Sequence, residues 1–254
     1  MHAVILAAGR GSRMGNLTRR RPKAMLRLAG YSLIDWQLAA LAAAGIGTVS
    51  VVAGHAAEAL QLPASVRRFT NPDWAHSGPI ASLCCAAPET LGTLLLVYGD
   101  GVFHPRLASA LRDCDADIAI TVDRRWHTLW SLRFADVFAD AESLRRRDGL
   151  LIEIGACASD IDAIEAQFTG LVRFSARGWQ SARRVIDALP ETQRRRLDTT
   201  ALLALLLQHG VPIATIDVDG GWCEVDSARD LALYRLLARR QPGWSHDWRW
   251  NSDA

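Results

Sequence analysis

The sequence predicts an α/β fold on a mainly parallel sheet with helices on both faces. Apolar strand-like runs alternate with helix-like segments through the first half. Those runs are continuously apolar, the pattern of strands covered on both sides. A glycine-rich segment also follows the first run directly.

Ala3–Ala7 reads as the first strand, and Ser32–Ala44 has helical spacing with Ser32 as its candidate N-cap. Leu38–Gly54 is 17 residues without a charge, marginal for a membrane span. Gly45-Ile46-Gly47 divides it into helix, turn and the buried strand Val49–Ala53, so no membrane partner is expected. Leu94–Tyr98 and Ile118–Val122 are further strands, with a helix over Pro105–Arg112 between them. From about Arg124 the rhythm changes, and Trp126–Phe138 is aromatic and mixed. Leu150–Ile154, Gly170–Phe174 and Ile213–Val218 read as strands, and Thr199–His209 as a helix closed by Gly210. The last helix is expected from Ala228 to about Arg239, followed by a polar, Trp-rich and loosely held tail. Without repeats or linkers, residues 1–254 read as one domain.

Half of the 254 residues are hydrophobic and 22% are charged, enough for a substantial core without metal or disulfide staples. Lys and Arg number 29 against 27 acids, a net charge of +2 that gives no global reason to expect nucleic acid or an acidic membrane. The expected partner is a small molecule. Five cysteines (84, 85, 114, 157 and 223) lack C-x-x-C or Cys/His pairing, which argues for reduced thiols in a cytoplasmic protein. The start, MHAVILAAGRG, has no basic stretch ahead of its apolar run, so no secretory leader is expected.

The segment Leu6-Ala7-Ala8-Gly9-Arg10-Gly11-Ser12-Arg13-Met14 follows the first strand. Glycines there let backbone N–H groups approach phosphate oxygens, and Arg13 adds a forked cationic contact. The glycines at 9, 11 and 15 do not fit G-x-G-x-x-G, and G-x-x-x-x-G-K-S/T is absent. Lys23, ten residues beyond Arg13 and preceded by Pro22, completes LAAGRGSRMGNLTRRRPKAML. This resembles the nucleotidyltransferase motif L-A-A-G-x-G-S/T-R-M/L followed by P-K. Tyr98-Gly99-Asp100 at a strand end and Glu224-Val225-Asp226 before the last helix also match that family. The resemblance implies a Rossmann-like three-layer α/β/α fold with a mixed, mainly parallel sheet. It also implies transfer of a nucleoside monophosphate from a triphosphate, with Lys23 and Arg13 catalytic and Mg²⁺ held by Asp100 and Asp226. Mg²⁺ suits one or two carboxylates plus phosphates and water. The alternatives are that Asp100 forms a turn with Gly101, Asp226 caps the last helix, and Arg19–Lys23 is a solvated basic run.

Asn71–Leu83, Asp115–Trp126, Glu153-Ile154-Gly155 and Gly221–Ser227 are similar to the phosphocholine cytidylyltransferase group, which includes enzymes acting on small phosphonates. The resemblance runs to about Arg239 and implies CTP as donor and a small phosphate or phosphonate acceptor. Residues 1–123 would be the nucleotide-binding half, 124–240 the acceptor half and 241–254 the tail. Leu6, Ala7, Ala8, Gly9, Gly11, Ser12, Ser77, Gly78, Ser82 and Asp100 would bind nucleotide; Asp123, Trp126, Trp130 and Asp198 would bind acceptor. Trp126 and Trp130, four apart, equally suit core packing. Where an aromatic wall is expected stands Arg195-Arg196-Leu197, which suggests an Arg-bearing pocket for an anionic acceptor. An acceptor phosphate, dianionic near neutral pH, needs no general base, so His55, His76, His104 and His127 are expected at the surface or in packing. A sugar-1-phosphate transferase using UTP or dTTP is the alternative, against which stands the short second half. A binding domain that has lost catalysis would lack the Lys or an Asp, and both are present. A nucleic-acid binder using Arg19–Arg21 and Arg194–Arg196 would need a larger net charge. Monomer and homodimer stay open.

Overall fold

The structure is a computed structural model that describes residues 1–241 and 243–250. Strand β1 (His2–Ala7) leads through a glycine-rich loop to the short hairpin β2 (Arg27–Leu28) and β3 (Tyr31–Ser32). Then come α1 (Leu33–Ala43), β4 (Thr48–Ala53), β5 (Arg67–Thr70), α2 (Pro79–Cys84), β6 (Leu94–Tyr98), β7 (Gly101–Phe103), α3 (Pro105–Arg112) and β8 (Ile118–Asp123). The second half adds α4 (Trp126–Arg133), β9 (Glu142–Arg147), β10 (Leu150–Cys157), β11 (Gln167–Phe174), α5 (Ala176–Ala188) and α6 (Glu191–Arg196). It closes with α7 (Thr199–Gln208), β12 (Ala214–Val218), β13 (Trp222–Glu224) and α8 (Ala228–Arg240).

The main sheet has nine strands in the order β5-β4-β1-β6-β11-β8-β12-β10-β9. β11 and β10 run against the other strands, so the sheet is mixed and mainly parallel, as expected. Both halves contribute strands to it. Along β1, Ala3, Ile5 and Ala7 join an apolar cluster with α1, α3, α4 and α8, whereas Val4 and Leu6 face α2, α5 and α7. This two-sided burial is why the strands read as unbroken apolar runs. Helix α1 starts as expected: Ser32 Oγ accepts from the Asp35 N–H, and the Asp35 carboxylate accepts from the Ser32 N–H.

The expectation of a loosely held tail is overturned for the part that the structure describes. Trp248 and His246 are fully buried, and Trp36 stands edge-on to Trp248 at 6.1 Å and to Trp250 at 5.9 Å. Large rings gain too much by burial to be left in water beside an apolar helix face. Residues 251–254 of that tail, and Pro242, lie outside the described residues. Among the described residues no helix is long and apolar enough to cross a membrane, and all five cysteines are free thiols.

Candidate active site

β1 and β6 run parallel and adjacent, so their carboxyl ends open on one edge of the sheet, where open α/β sheets place ligands. β1 feeds the glycine-rich loop. Gly11 has φ +63° in the left-handed region, and a Cβ there would come within 2.9 Å of Lys23 Cδ, so glycine lets the lysine stem lie across the loop. The Gly11 carbonyl accepts from the Met14 N–H at 2.9 Å and Thr18 Oγ1 at 3.1 Å, which folds the loop back on itself. Arg19–Arg21 are exposed while Pro22 and Lys23 are buried, so the basic run is solvated up to the point where the lysine turns inward.

β6 delivers Tyr98-Gly99-Asp100. The small ribbon of β7 and β13 sets Gly101 opposite Glu224, and the Val225 N–H donates to the Asp100 carbonyl at 3.0 Å. Two carboxylates far apart in sequence thus flank one point. Lys23 Nζ donates to Asp100 Oδ2 at 2.9 Å and Asp226 Oδ1 at 2.8 Å, and Arg13 lies 3.4 Å from the same Asp226 oxygen. Burial alone would lower the Lys23 pKa, but the charges of Asp100 and Asp226 and hydrogen bonds to both raise it. Asp226 is held below its ordinary value against burial by Lys23, Arg13 and Arg133. Asp226 does not cap α8. Ser227 and Asp230 form that capping box, which leaves Asp226 for the cleft.

Two cavities meet at this cluster. The first, about 320 Å³, is lined by every residue expected to bind nucleotide: Leu6, Ala7, Ala8, Gly9, Gly11, Ser12, Ser77, Gly78, Ser82 and Asp100. Asn71 positions its far side, donating from Nδ2 to the hydroxyls of Ser77 and Ser82, each at 2.9 Å. Gly78 packs there against the backbone of residues 196–197, where a Cβ would fall 2.4 Å from the Leu197 carbonyl oxygen. The second cavity, about 330 Å³, shares Arg13, Tyr98, Asp100 and Asp226 with the first. Its walls add Phe103, Trp130, Phe168 and Trp222 with Asp140, Glu142 and Glu224. Of the five carboxylates on these walls, Asp100 and Asp226 pair with Lys23 and Glu224 pairs with the buried Arg133, which leaves Asp140 and Glu142 without a salt-bridge partner among the described residues. Burial raises the pKa of Asp140 and of Glu142, and burial with repulsion from Asp226 raises that of Glu224.

Of the residues expected at the acceptor, Trp130 lines this second cavity and three others do not. Trp126 is 3% exposed and packs edge-on against Trp130 at 6.0 Å, a core role. Asp123 is fully buried and accepts from the Gly220 N–H at 2.8 Å and Trp222 Nε1 at 2.9 Å while pairing with His246 Nε2 at 2.7 Å. It fastens β8 to the tail. Asp198 caps α7 by accepting from the Ala201 N–H at 2.7 Å, and its charge helps raise Glu142. The Arg-bearing acceptor wall is also absent from the described residues: Arg195 pairs with Asp73 at 2.7 Å on the exposed side, and neither it nor Arg196 lines the cavity. Of the four histidines expected at the surface or in packing, His76 and His127 are exposed, while His55 closes the glycine-rich loop by contacting the Thr18 carbonyl at 2.7 Å. His104 caps α3.

Asp100 and Asp226 already share one cation, the Lys23 ammonium, and their oxygen donors suit Mg²⁺, which takes few carboxylates and completes its shell with phosphate and water. No fuller set of three or more His, Cys, Asp or Glu ligands occurs among the described residues.

Comparison with known proteins agrees with this architecture. Over 252 residues the chain is 32% identical to the CTP:phosphoglutamine cytidylyltransferase of Campylobacter jejuni, covering 92% of this chain and 98% of that one. The fold matches the inositol-1-phosphate CTP transferase of T. maritima with a TM-score of 0.73 at 19% identity, over 95% of this chain and 96% of that one. It matches the CTP:phosphocholine cytidylyltransferase of Streptococcus pneumoniae with a TM-score of 0.71 at 18% identity, over 93% and 98%. Residues 3–155 fit the sequence model of the MobA-like NTP transferase domain. With the glycine-rich loop, Lys23 and the paired aspartates in one cleft, this chain belongs to the MobA-like NTP transferase family.

Proposed function

We propose that this protein transfers CMP from CTP to a small phosphate or phosphonate acceptor whose far end is cationic, with Mg²⁺, and releases pyrophosphate. The observation that carries the reading is the pair of similar cavities joined at Asp100 and Asp226, the two carboxylates that Lys23 bridges. Two substrates seated on either side would bring an acceptor oxygen against the α-phosphorus, which removes much of the entropic barrier. CTP is inferred from the names of the relatives. The charge of the second cavity speaks for the acceptor: acidic walls with aromatic faces suit an ammonium, and an anionic far end would meet carboxylates.

In this reading the backbone N–H groups of residues 8–12 and Arg13 hold the β- and γ-phosphates. The Lys23 ammonium, desolvated and fully charged, stabilises negative charge as it develops on the α-phosphate. Asp100 and Asp226 would hold Mg²⁺, which supplies charge neutralisation to both phosphate groups. The acceptor oxygen attacks in line and pyrophosphate leaves toward the loop. No side-chain base is needed, because a phosphomonoester is largely dianionic with a second pKa near ~6.

The test is pyrophosphate release with Mg²⁺, crossing CTP, UTP, ATP, GTP and dTTP with phosphocholine, 2-aminoethylphosphonate, phosphoglutamine, hydroxyethylphosphonate and glucose-1-phosphate. Release confined to CTP with an amine-bearing acceptor is the expected result. Preference for hydroxyethylphosphonate over its amino analogue would overturn the cationic acceptor, and release with UTP or dTTP and glucose-1-phosphate would overturn the cytidylyl reading.

A further inference from the structure

Arg133 ends α4 with its side chain 1% exposed, outside both cavities. Its guanidinium donates to three carboxylates: from Nη1 to Glu224 Oε1 at 2.6 Å, from Nη2 to Asp226 Oδ2 at 3.0 Å, and from Nε to Asp230 Oδ1 at 3.3 Å. The rings of Trp130 and Phe134 lie 5.2 and 4.8 Å from its central carbon. A buried cation costs free energy to desolvate, and tying α8 to α4 would need the Asp230 contact alone. The remaining two donors run toward the cleft.

The contact with Asp226 divides that carboxylate. Oδ2 is spent on Arg133, while Oδ1 faces Lys23 at 2.8 Å and Arg13 at 3.4 Å. We propose that Arg133 is a positioning residue for the transfer reaction: it locks the Asp226 carboxylate so that Oδ1 alone is presented where the two cavities meet. The inference rests on the function proposed above. Because the same guanidinium packs on Trp130, one buried side chain sets both the acceptor wall and the orientation of the carboxylate. Without that contact, Asp226 is free to turn Oδ1 away from Lys23, which would then lose its second partner.

The test is Arg133→Lys, which keeps the charge but not the planar fork that reaches three acids at once. Three quantities are measured: the thermal midpoint, Mn²⁺ binding to the CTP-loaded protein without acceptor followed by electron paramagnetic resonance, and steady-state pyrophosphate release. The expected result is a folded variant that binds Mn²⁺ at least tenfold more weakly. Its kcat falls at least tenfold and its KM for CTP stays within threefold of the parent. A lowered midpoint with parental Mn²⁺ affinity and kcat would make Arg133 a fold anchor only and overturn the proposal. Should Arg133→Lys not fold, the double variant Arg133→Met with Glu224→Met replaces the buried pair by apolar side chains of similar size and again leaves Asp226 without its donor. The same tenfold loss of Mn²⁺ affinity is expected there. Parental affinity, or failure of both variants to fold, would overturn the proposal. If the unmodified protein itself neither binds Mn²⁺ with CTP nor releases pyrophosphate, the proposed function falls and the inference falls with it.

Discussion

A single ammonium, Lys23 Nζ, neutralises both carboxylates at the junction of the cavities, and its raised pKa keeps it charged throughout the neutral range. In Lys23→Ala, pyrophosphate release is expected to fall by about 10²–10³-fold, the usual cost of deleting one preorganised charge donor. Activity within threefold of the parent would remove Lys23 from the chemistry. Asp140 and Glu142 offer a pH test of the acceptor. Each is an anion only above its pKa, and burial has raised both. An ammonium on the acceptor stays protonated across this range, so attraction is present above the raised carboxylate pKa values and lost as pH falls through them, before ordinary carboxylates would titrate. The acceptor KM is therefore expected to climb as pH is lowered, and Glu142→Gln should blunt the climb. A flat acceptor KM would disconnect these carboxylates from the acceptor. Neither residue stands in a sequence motif. They border a short turn ahead of β9, and only the tertiary fold turns them toward Trp130.

At the level of elements, legibility followed burial. Leu94–Tyr98 and Pro105–Arg112 were readable to the residue because one is buried on both faces and the other opens on proline with a strong apolar stripe. β9, ESLRRR, is an edge strand with only Ser143 and Leu144 buried, and its charges mask it. α5 did carry a readable signal: Trp179, Ala182, Val185 and Ile186 recur at helical spacing behind the cap Ser175. The tail was misread because polar residues surround its tryptophans, and local composition cannot reveal that a distant helix leaves room for them. Trp248→Ala tests this element. Loss of a fully buried indole is expected to cost about 3–5 kcal/mol in urea unfolding, whereas a tail lying loose in solvent would show a change near zero.

Across the whole molecule, the lining of the cavity proposed for nucleotide was legible in the sequence and that of the cavity proposed for the acceptor was not, for a physical reason. Every expected nucleotide residue sits on one of two local segments, the end of β1 with the loop after it and Ser77–Ser82 at the start of α2, or just past β6. Backbone recognition of phosphate needs closely spaced residues, so it leaves a contiguous trace. The cavity proposed for the acceptor instead draws on side chains scattered over β6, β7, α4, the start of β9, β11, α7 and β13. Expectation there rested on Asp123, Trp126, Asp198 and the arginines near 195, and the fold turns all of these to capping, core or surface duties.

The buried Asp123 also bears on how the protein is made. Its carboxylate is satisfied by Trp222 and His246, and His246 lies 123 residues further along the chain. At about 5–20 residues per second, the ribosome delivers that partner about 6–25 seconds after Asp123 itself. Until Trp222 and then His246 emerge, a central strand ends in an anion without its side-chain partners, and closing the sheet over it would bury an uncompensated charge. His246 is therefore the last of the side chains that satisfy Asp123 to be made, and this side of the sheet is completed by the Trp-rich tail.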